Sequence, residues 1–129
     1  MLRLCRGTLE RMRAKDKLGR SGELLAAAYL ERSGQRIVDR NWRGPSGEID
    51  IVALEGATVV VSEVKTRSSV DYGHPLEAIT PAKVQRLQVL ARQWLRAHGM
   101  SSAGFRIDAV AVLDDGRHPP VIEHVKAIS

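Results

Sequence analysis

The chain has 129 residues, of which 43% are hydrophobic and 27% charged, a composition typical of one globular domain with a single core. Aromatic residues make up only 4%, too few for the stacking platforms of single-strand-binding proteins. Charges interrupt every apolar stretch, which excludes a membrane-spanning helix, and no signal-peptide pattern is present. Cys5 is the single cysteine, so an internal disulfide is excluded and a reducing, cytoplasmic setting is expected.

The net charge of +5 lies near the start of the chain. Residues 1–20 hold seven basic and two acidic residues, whereas the remainder holds 13 of each. We therefore expect residues 1–16 to be a flexible basic arm and residues 17–129 to form the domain. Such an arm would either track phosphates or be a solvated terminus.

The first predicted element is a helix from Gly19 to Ser33, with Ser21 as its N-cap and Gly34 as its stop. Alternating residues at 35–43 then predict a strand, and the next four residues, 44–47, are typical of a turn. Two further strand-like runs, separated by Glu55-Gly56-Ala57, give the clearest hairpin signal in the chain: Glu48–Leu54 and Thr58–Thr66.

Residues 68–79 predict an irregular loop. Thr80 and Pro81 then suit the N-cap and first position of a helix that runs to about His98 and carries an apolar stripe. Two last strands are predicted at Phe105–Leu113 and Val121–Ile128. The order α-β-β-β-α-β-β predicts an α/β fold, a mixed sheet flanked by helices.

The hairpin turn decides which residues face each other. With Gly56-Ala57 as a two-residue type II′ turn, Asp50 lies opposite Glu63 and Glu48 lies opposite Lys65. Carboxylates roughly 5 Å apart repel each other unless a cation intervenes, and Mg²⁺ or Mn²⁺ takes such oxygen ligands. Lys65, on the same face as Glu63, could hold an attacking water or stabilise charge on a phosphate.

Two alternatives stay open for this hairpin. Charges at alternate strand positions are also typical of a solvent-facing edge with cross-strand ion pairs. Val59 and Val61 begin the same face, and an apolar start that leads to paired charges favours a site at the sheet edge. A three-residue loop, however, would shift the register by one and place the carboxylates on opposite faces.

Charged residues on both predicted helices are further candidates. Glu23 shares a helix face with small and apolar residues, where a carboxylate needs a metal or another cation as its partner. The alternative is that Glu23 only complements the helix dipole in the first turn. The second helix and the strand after it hold basic residues with no acidic residue between Glu77 and Asp108. Their pattern suits either phosphate contact or a solvated surface. They are Lys83, Arg86, Arg92, Arg96 and Arg106.

The central motifs resemble a known superfamily. One segment of this chain resembles the active-site hairpin of the PD-(D/E)xK nucleases, a group that runs from restriction enzymes to Holliday-junction resolvases. The segment reads GEIDIVALEGATVVVSEVKTR. The YraN-like family of small bacterial proteins is similar to this chain over Gly19 to about Ile128. The likeness is carried by GRSGELLAAAYLERSGQRIVDRNWRGPSGEIDIVA, followed by SEVKTR and FRIDAV.

This resemblance implies a restriction-endonuclease-like fold and a set of site residues. Asp50 and Glu63 would be ligands of Mg²⁺ or Mn²⁺, and Lys65 would be the catalytic lysine. Glu23 would be a helical acid that completes the site through the metal or a bound water. Ser62 departs from the family, which more often has an apolar residue before this Glu, but it faces away from the site in the register above.

The expected function is metal-dependent hydrolysis of phosphodiester bonds in DNA, with selectivity for DNA shape or junctions. The residues expected to hold the DNA backbone are Arg43, Arg67, Lys83 and Arg86. Resolvase-like members of the superfamily act as symmetric dimers, so a homodimer is one expectation. The alternatives are a nucleic-acid-binding accessory protein that does not cut, and a protein-interaction module whose carboxylates form ion pairs with Lys65 and Arg67.

Overall fold

The computed structural model describes residues 6–71 and 73–129, with side chains from residue 17 onward. Within these described residues, seven main elements follow one another, and a short 3-10 helix, Pro75–Ala78, lies within the predicted loop. In chain order the seven are α1 (Arg6–Arg32), β1 (Arg36–Gly44), β2 (Gly47–Glu55), β3 (Thr58–Arg67), α2 (Pro81–Ala97), β4 (Phe105–Leu113) and β5 (Val121–Val125).

One five-stranded mixed sheet organises the chain, with spatial order β1-β2-β3-β4-β5. The pairs β1–β2, β2–β3 and β4–β5 are antiparallel, whereas β3 and β4 are parallel and are connected through α2. The predicted α/β class and the order α-β-β-β-α-β-β are confirmed. No helix within residues 6–71 and 73–129 combines the length and the apolar character needed to cross a membrane.

Helix α1 begins earlier than the capping signal indicated. Ser21, the predicted N-cap, lies inside the helix, which already starts at Arg6. The preceding segment contains mostly residues of high helix propensity and no proline, so propensity overrides the cap. The predicted stop is confirmed, since Gly34 has a φ of +100° just beyond the helix. Residues 1–5 of the basic arm lie outside the described residues, and the flexibility of the arm stays a prediction.

The β2–β3 hairpin has the predicted turn and register. Gly56 has a φ of +60°, and the five pairs that follow the turn run from Glu55–Thr58 to Ile51–Ser62. The ladder then ends, so the two predicted pairs beyond it, Asp50–Glu63 and Glu48–Lys65, are not part of it. The reason lies in β2 itself: Ile49 and Ile51, two residues apart, pack on opposite sides of the sheet, so the alternation of faces is broken at Asp50.

Both faces of the sheet are covered, and β3 is buried on both. On one face, α1 packs through Ala26, Ala27 and Leu30 against a cluster that includes Val110 and Val112. The other face holds α2, whose predicted apolar stripe is confirmed because five of its members are buried: Leu87, Leu90, Ala91, Trp94 and Leu95.

A buried polar network surrounds Asp108 in β4. Asp108 is fully buried and accepts hydrogen bonds from Arg106 Nε (2.9 Å) and the Ala127 amide (2.9 Å), with His124 Nε2 also at 2.8 Å. Arg106 also contacts Glu55 at 2.8 Å, so it is not part of a basic surface. Ala127, whose amide donates to Asp108, has a φ of +54°, which is not a strand conformation, and the last strand ends at Val125, earlier than predicted.

Gly22 allows α1 to approach β3 closely. A Cβ added at Gly22 would lie 1.9 Å from Thr66 Oγ1, whereas one added at Gly19, in the same helix, would meet nothing within 4 Å. We expect Gly22→Ala to lower the free energy of unfolding by about 1–3 kcal/mol through overpacking. Gly19→Ala should raise it by about 0.5–1 kcal/mol through helix propensity. Urea denaturation of both variants checks this, and equal stabilisation by the two would contradict the close packing.

Candidate active site

Two acidic side chains meet where the β2–β3 ladder ends. Asp50 comes from β2 at the break in its alternation, and Glu63, only 8% exposed, comes from β3. The Val64 amide donates a hydrogen bond to Asp50 Oδ2 at 2.8 Å and fixes this carboxyl against β3. The contact replaces ladder pairing between the two strands, so the end of the ladder becomes a site of paired carboxyl groups.

The environment of Asp50 opposes a negative charge. Burial raises the pKa of Asp50 to about 7, and the neighbouring charge of Glu63 acts in the same direction. The hydrogen bond from the Val64 amide works against this rise without cancelling it. A carboxylate at this position is therefore short of positive charge, which is the electrostatic condition for binding a cation.

Two lysines converge on Glu63 from different elements. Lys65 Nζ lies 3.4 Å from Glu63 Oε1, and Lys83 Nζ lies 3.8 Å from the same oxygen. Lys83 comes from the first turn of α2, where its amide donates to the Thr80 hydroxyl that caps the helix (3.2 Å). The adjacent Lys65 amine lowers the pKa of Lys83, and burial lowers it further.

Glu23 approaches the site from α1. Burial raises the pKa of Glu23, against the opposing charge of Arg40. When the Asn41 amide is oriented with its nitrogen toward the acids, it donates to Glu23 Oε2 (2.9 Å) and Glu48 Oε1 (3.2 Å). The charge of Glu23 in turn raises the pKa of Asp50, so Glu23 belongs to the same electrostatic neighbourhood.

Glu48 lies elsewhere than its predicted place opposite Lys65. It pairs with Arg43 across the β1–β2 ladder, with Arg43 Nε 3.6 Å from Glu48 Oε2. The prediction was wrong because the regular pairing of β2 with β3 stops before this residue. Asn41, which joins Glu48 to Glu23, was missed. Its signal was an asparagine within a strand-like run, and its φ of +51° is a conformation that asparagine tolerates.

The four residues predicted to bind nucleic acid divide into two groups. Lys83 lies at the site itself, with its Nζ 3.8 Å from Glu63 Oε1. The other three lie outside that contact: Arg43 is 86% exposed, Arg67 is exposed and donates to the Thr66 carbonyl at 2.8 Å, and Arg86 is exposed on α2. These three present positive charge to solvent on the β1–β2 hairpin, on β3 and on α2.

A groove of about 560 Å³ opens beside the site on the side of α1. Its walls come from α1 and from the end of β3, and both Glu23 and Lys65 reach it. The other lining residues are Leu18, Gly19, Val64, Thr66, Arg67 and Ser68. Because two site residues line the groove, the site can be reached from solvent.

The donor set fits a hard divalent cation in its chemistry. Within residues 6–71 and 73–129, no three His, Cys, Asp or Glu side chains are grouped as a metal cluster. Mg²⁺, however, retains several waters and is commonly bound through one or two carboxylates plus substrate phosphate. Asp50 and Glu63 supply two such carboxylates. Of the two Asp50 oxygens, it is Oδ2 that accepts the hydrogen bond from the Val64 amide.

The fold and the acid-acid-lysine arrangement define a protein of the PD-(D/E)xK-like superfamily. The model of the "Uncharacterised protein family UPF0102" matches residues 22–112, and the chain belongs to this family, which is the YraN family. The family description names no substrate or reaction.

Curated relatives agree with this assignment. The UPF0102 protein of Paenarthrobacter aurescens (strain TC1) is 58% identical over 117 residues, which cover 91% of this chain and 97% of that protein. The UPF0102 protein of Arthrobacter sp. (strain FB24) is also 58% identical, over 91% of this chain and 99% of its own length. A relative from Streptomyces coelicolor is 47% identical over 92% of both chains.

The raised pKa of Asp50 predicts how stability depends on pH in the presence of EDTA. The ordinary aspartate pKa is about 3.9, and Asp50 titrates at about 7 in the folded protein. The folded state thus keeps a proton that the unfolded state has lost, so stability falls as pH rises through this window. Asp50→Asn should be more stable than the parent by about 2–4 kcal/mol near pH 8 and about equal near pH 4.

Denaturation curves at the two pH values measure this difference, with Asp71→Asn, at an exposed carboxylate, as the matched control. The control should leave stability unchanged at both values. An Asp50→Asn variant that is less stable than the parent near pH 8 would contradict an unfavourable carboxylate at this position.

Proposed function

We propose that this protein is a metal-dependent nuclease that hydrolyses phosphodiester bonds in DNA. The observation that carries the proposal is the half-buried Asp50 beside the buried Glu63, with two lysines near Glu63. Two ordinary edge carboxylates would be exposed to solvent, where water and salt screen their repulsion. Mg²⁺ or Mn²⁺ would be held by Asp50 and Glu63, and when bound it would polarise the phosphate and lower the pKa of a water.

The remaining side chains would handle the substrate and the water. Lys65, within reach of both Glu63 and the groove, would position the attacking water and balance charge on the phosphate. Glu23 lines the same groove, and its link to Asn41 would hold it in an orientation to accept a hydrogen bond from that water.

The exposed cations suit a backbone-binding surface. Arg43, Arg67 and Arg86 lie on three different elements and would contact phosphates, which carry no base sequence. The substrate preference would therefore be for DNA shape, with branched or junction DNA as the first class to test. A junction presents two equivalent sites of cleavage, and the two active sites of a homodimer would match them. An activity on DNA would also place the protein in the cytoplasm.

The second candidate is a nucleic-acid-binding accessory protein that does not cut. It is favoured by one observation, that Glu63 already has two cationic partners without a metal. The carboxyl of Asp50 has no such cationic contact at ion-pair distance among the described side chains, and this asymmetry favours the nuclease.

Cleavage assays separate the two candidates. The purified protein is incubated with supercoiled, linear, single-stranded and four-way-junction DNA, with Mg²⁺, Mn²⁺ or EDTA. We expect cleavage that EDTA abolishes and that Asp50→Ala and Lys65→Ala each slow by about 10²–10⁴-fold.

Matched controls are Glu31→Gln on the exposed surface of α1 and Lys126→Ala near the opposite end of the sheet, and both should cleave at the parental rate. Cleavage that persists in Asp50→Ala and Lys65→Ala would identify a contaminant. Binding of DNA without cleavage under every metal condition would favour the accessory protein.

A further inference from the structure

Lys83 makes a contact that a simple phosphate-binding lysine would not need. Its Nζ lies 3.8 Å from Glu63 Oε1, the same oxygen that Lys65 approaches at 3.4 Å. Two ammonium groups repel each other, so they share one carboxylate oxygen only where the local negative charge is high. The Lys83 ammonium group therefore lies beside Glu63, the carboxylate that a bound metal ion would also use as a ligand.

The fold fixes the base of this side chain but leaves its tip free to move. The Thr80 cap binds the Lys83 amide, and the adjacent Pro81 restricts the backbone at the start of α2. The side chain of Lys83 is 33% exposed, compared with 18% for Lys65. The flexible stem of a lysine therefore allows Nζ of Lys83 to leave Glu63 while the helix stays in place.

Charge balance gives this movement a direction. When Asp50 and Glu63 are both ionised, their two negative charges are matched by Lys65 and Lys83, and the group of four is neutral. Glu48 has its own partner in Arg43, and Glu23 lies in the field of Arg40. A divalent cation at the two carboxylates would leave two positive charges without a partner, which a substrate phosphate and an ionised water would balance.

We propose that Lys83 occupies Glu63 in the free protein, competes there with the divalent cation, and transfers to a substrate phosphate when the cation binds. This inference rests on the proposed function. It makes binding of metal and of phosphodiester mutually favourable, because each removes a charge imbalance that the other creates. Such coupling is reciprocal, so DNA must raise the affinity for metal by the factor by which metal raises the affinity for DNA.

The test is calorimetric titration of Mn²⁺ into the whole protein, alone and with a four-way junction built from hydrolysis-resistant phosphorothioate strands. Lys83→Gln removes the charge, Lys83→Arg keeps it, and Arg96→Gln removes an exposed charge from the last turn of the same helix. Thermal unfolding confirms that each variant is folded before titration.

Without DNA, we expect Lys83→Gln to bind Mn²⁺ about three- to tenfold more tightly than the parent, because a competing cation is gone. Lys83→Arg and Arg96→Gln should match the parent. With the junction present, the affinity of the parent for Mn²⁺ should rise by about tenfold or more. The rise should be smaller in Lys83→Gln, since the phosphate has lost a partner.

The outcomes separate this inference from the function beneath it. Equal or weaker Mn²⁺ binding by Lys83→Gln, with clear uptake by the parent, overturns the competition and leaves the metal site intact. Absence of Mn²⁺ uptake by both the parent and Lys83→Gln overturns the inference and the proposed function together. Uptake by Lys83→Gln alone would be the strongest support.

Discussion

The site depends on one unfavourable interaction, the repulsion between the carboxyl groups of the half-buried Asp50 and the buried Glu63. The β2–β3 ladder ends immediately before these residues, and the Val64 amide, which has no partner in the β2 ladder, donates to Asp50 Oδ2 instead. Burial and the charge of Glu63 together raise the pKa of Asp50 to about 7. Lys65 and Lys83 approach Glu63 and leave Asp50 without a cation at ion-pair distance among the described side chains. Such an unbalanced pair of carboxyl groups is expected of a functional site and not of a packed core.

Helices α1 and α2 pack on opposite faces of the sheet, and each contributes a charged side chain to the site. Helix α1 delivers Glu23 and approaches β3 closely because Gly22 has no side chain to meet Thr66. Helix α2 delivers Lys83 from a first turn that is fixed by the Thr80 cap. The two cores that hold these helices are therefore also the supports of the site, and a change in either would displace a charged group.

Features that depend on local residue preferences could be predicted from the sequence, whereas the break in β2 and the long-range contacts could not. The turn at Gly56 and the apolar stripe of α2 follow from residue-level preferences, and both are confirmed. The break in β2 at Asp50 depends on how Ile49 and Ile51 pack against different helices, which no local pattern contains. For the same reason the contact of Lys83 with Glu63 could not be foreseen, since it joins two residues that are distant in the chain.

The most direct measurement is the anomalous diffraction of manganese in a crystal grown with Mn²⁺. We predict a peak bonded to carboxylate oxygens of both Asp50 and Glu63, with the remaining ligands supplied by water. A map without manganese at these carboxylates at saturating Mn²⁺, with Lys65 and Lys83 still on Glu63, would contradict the account.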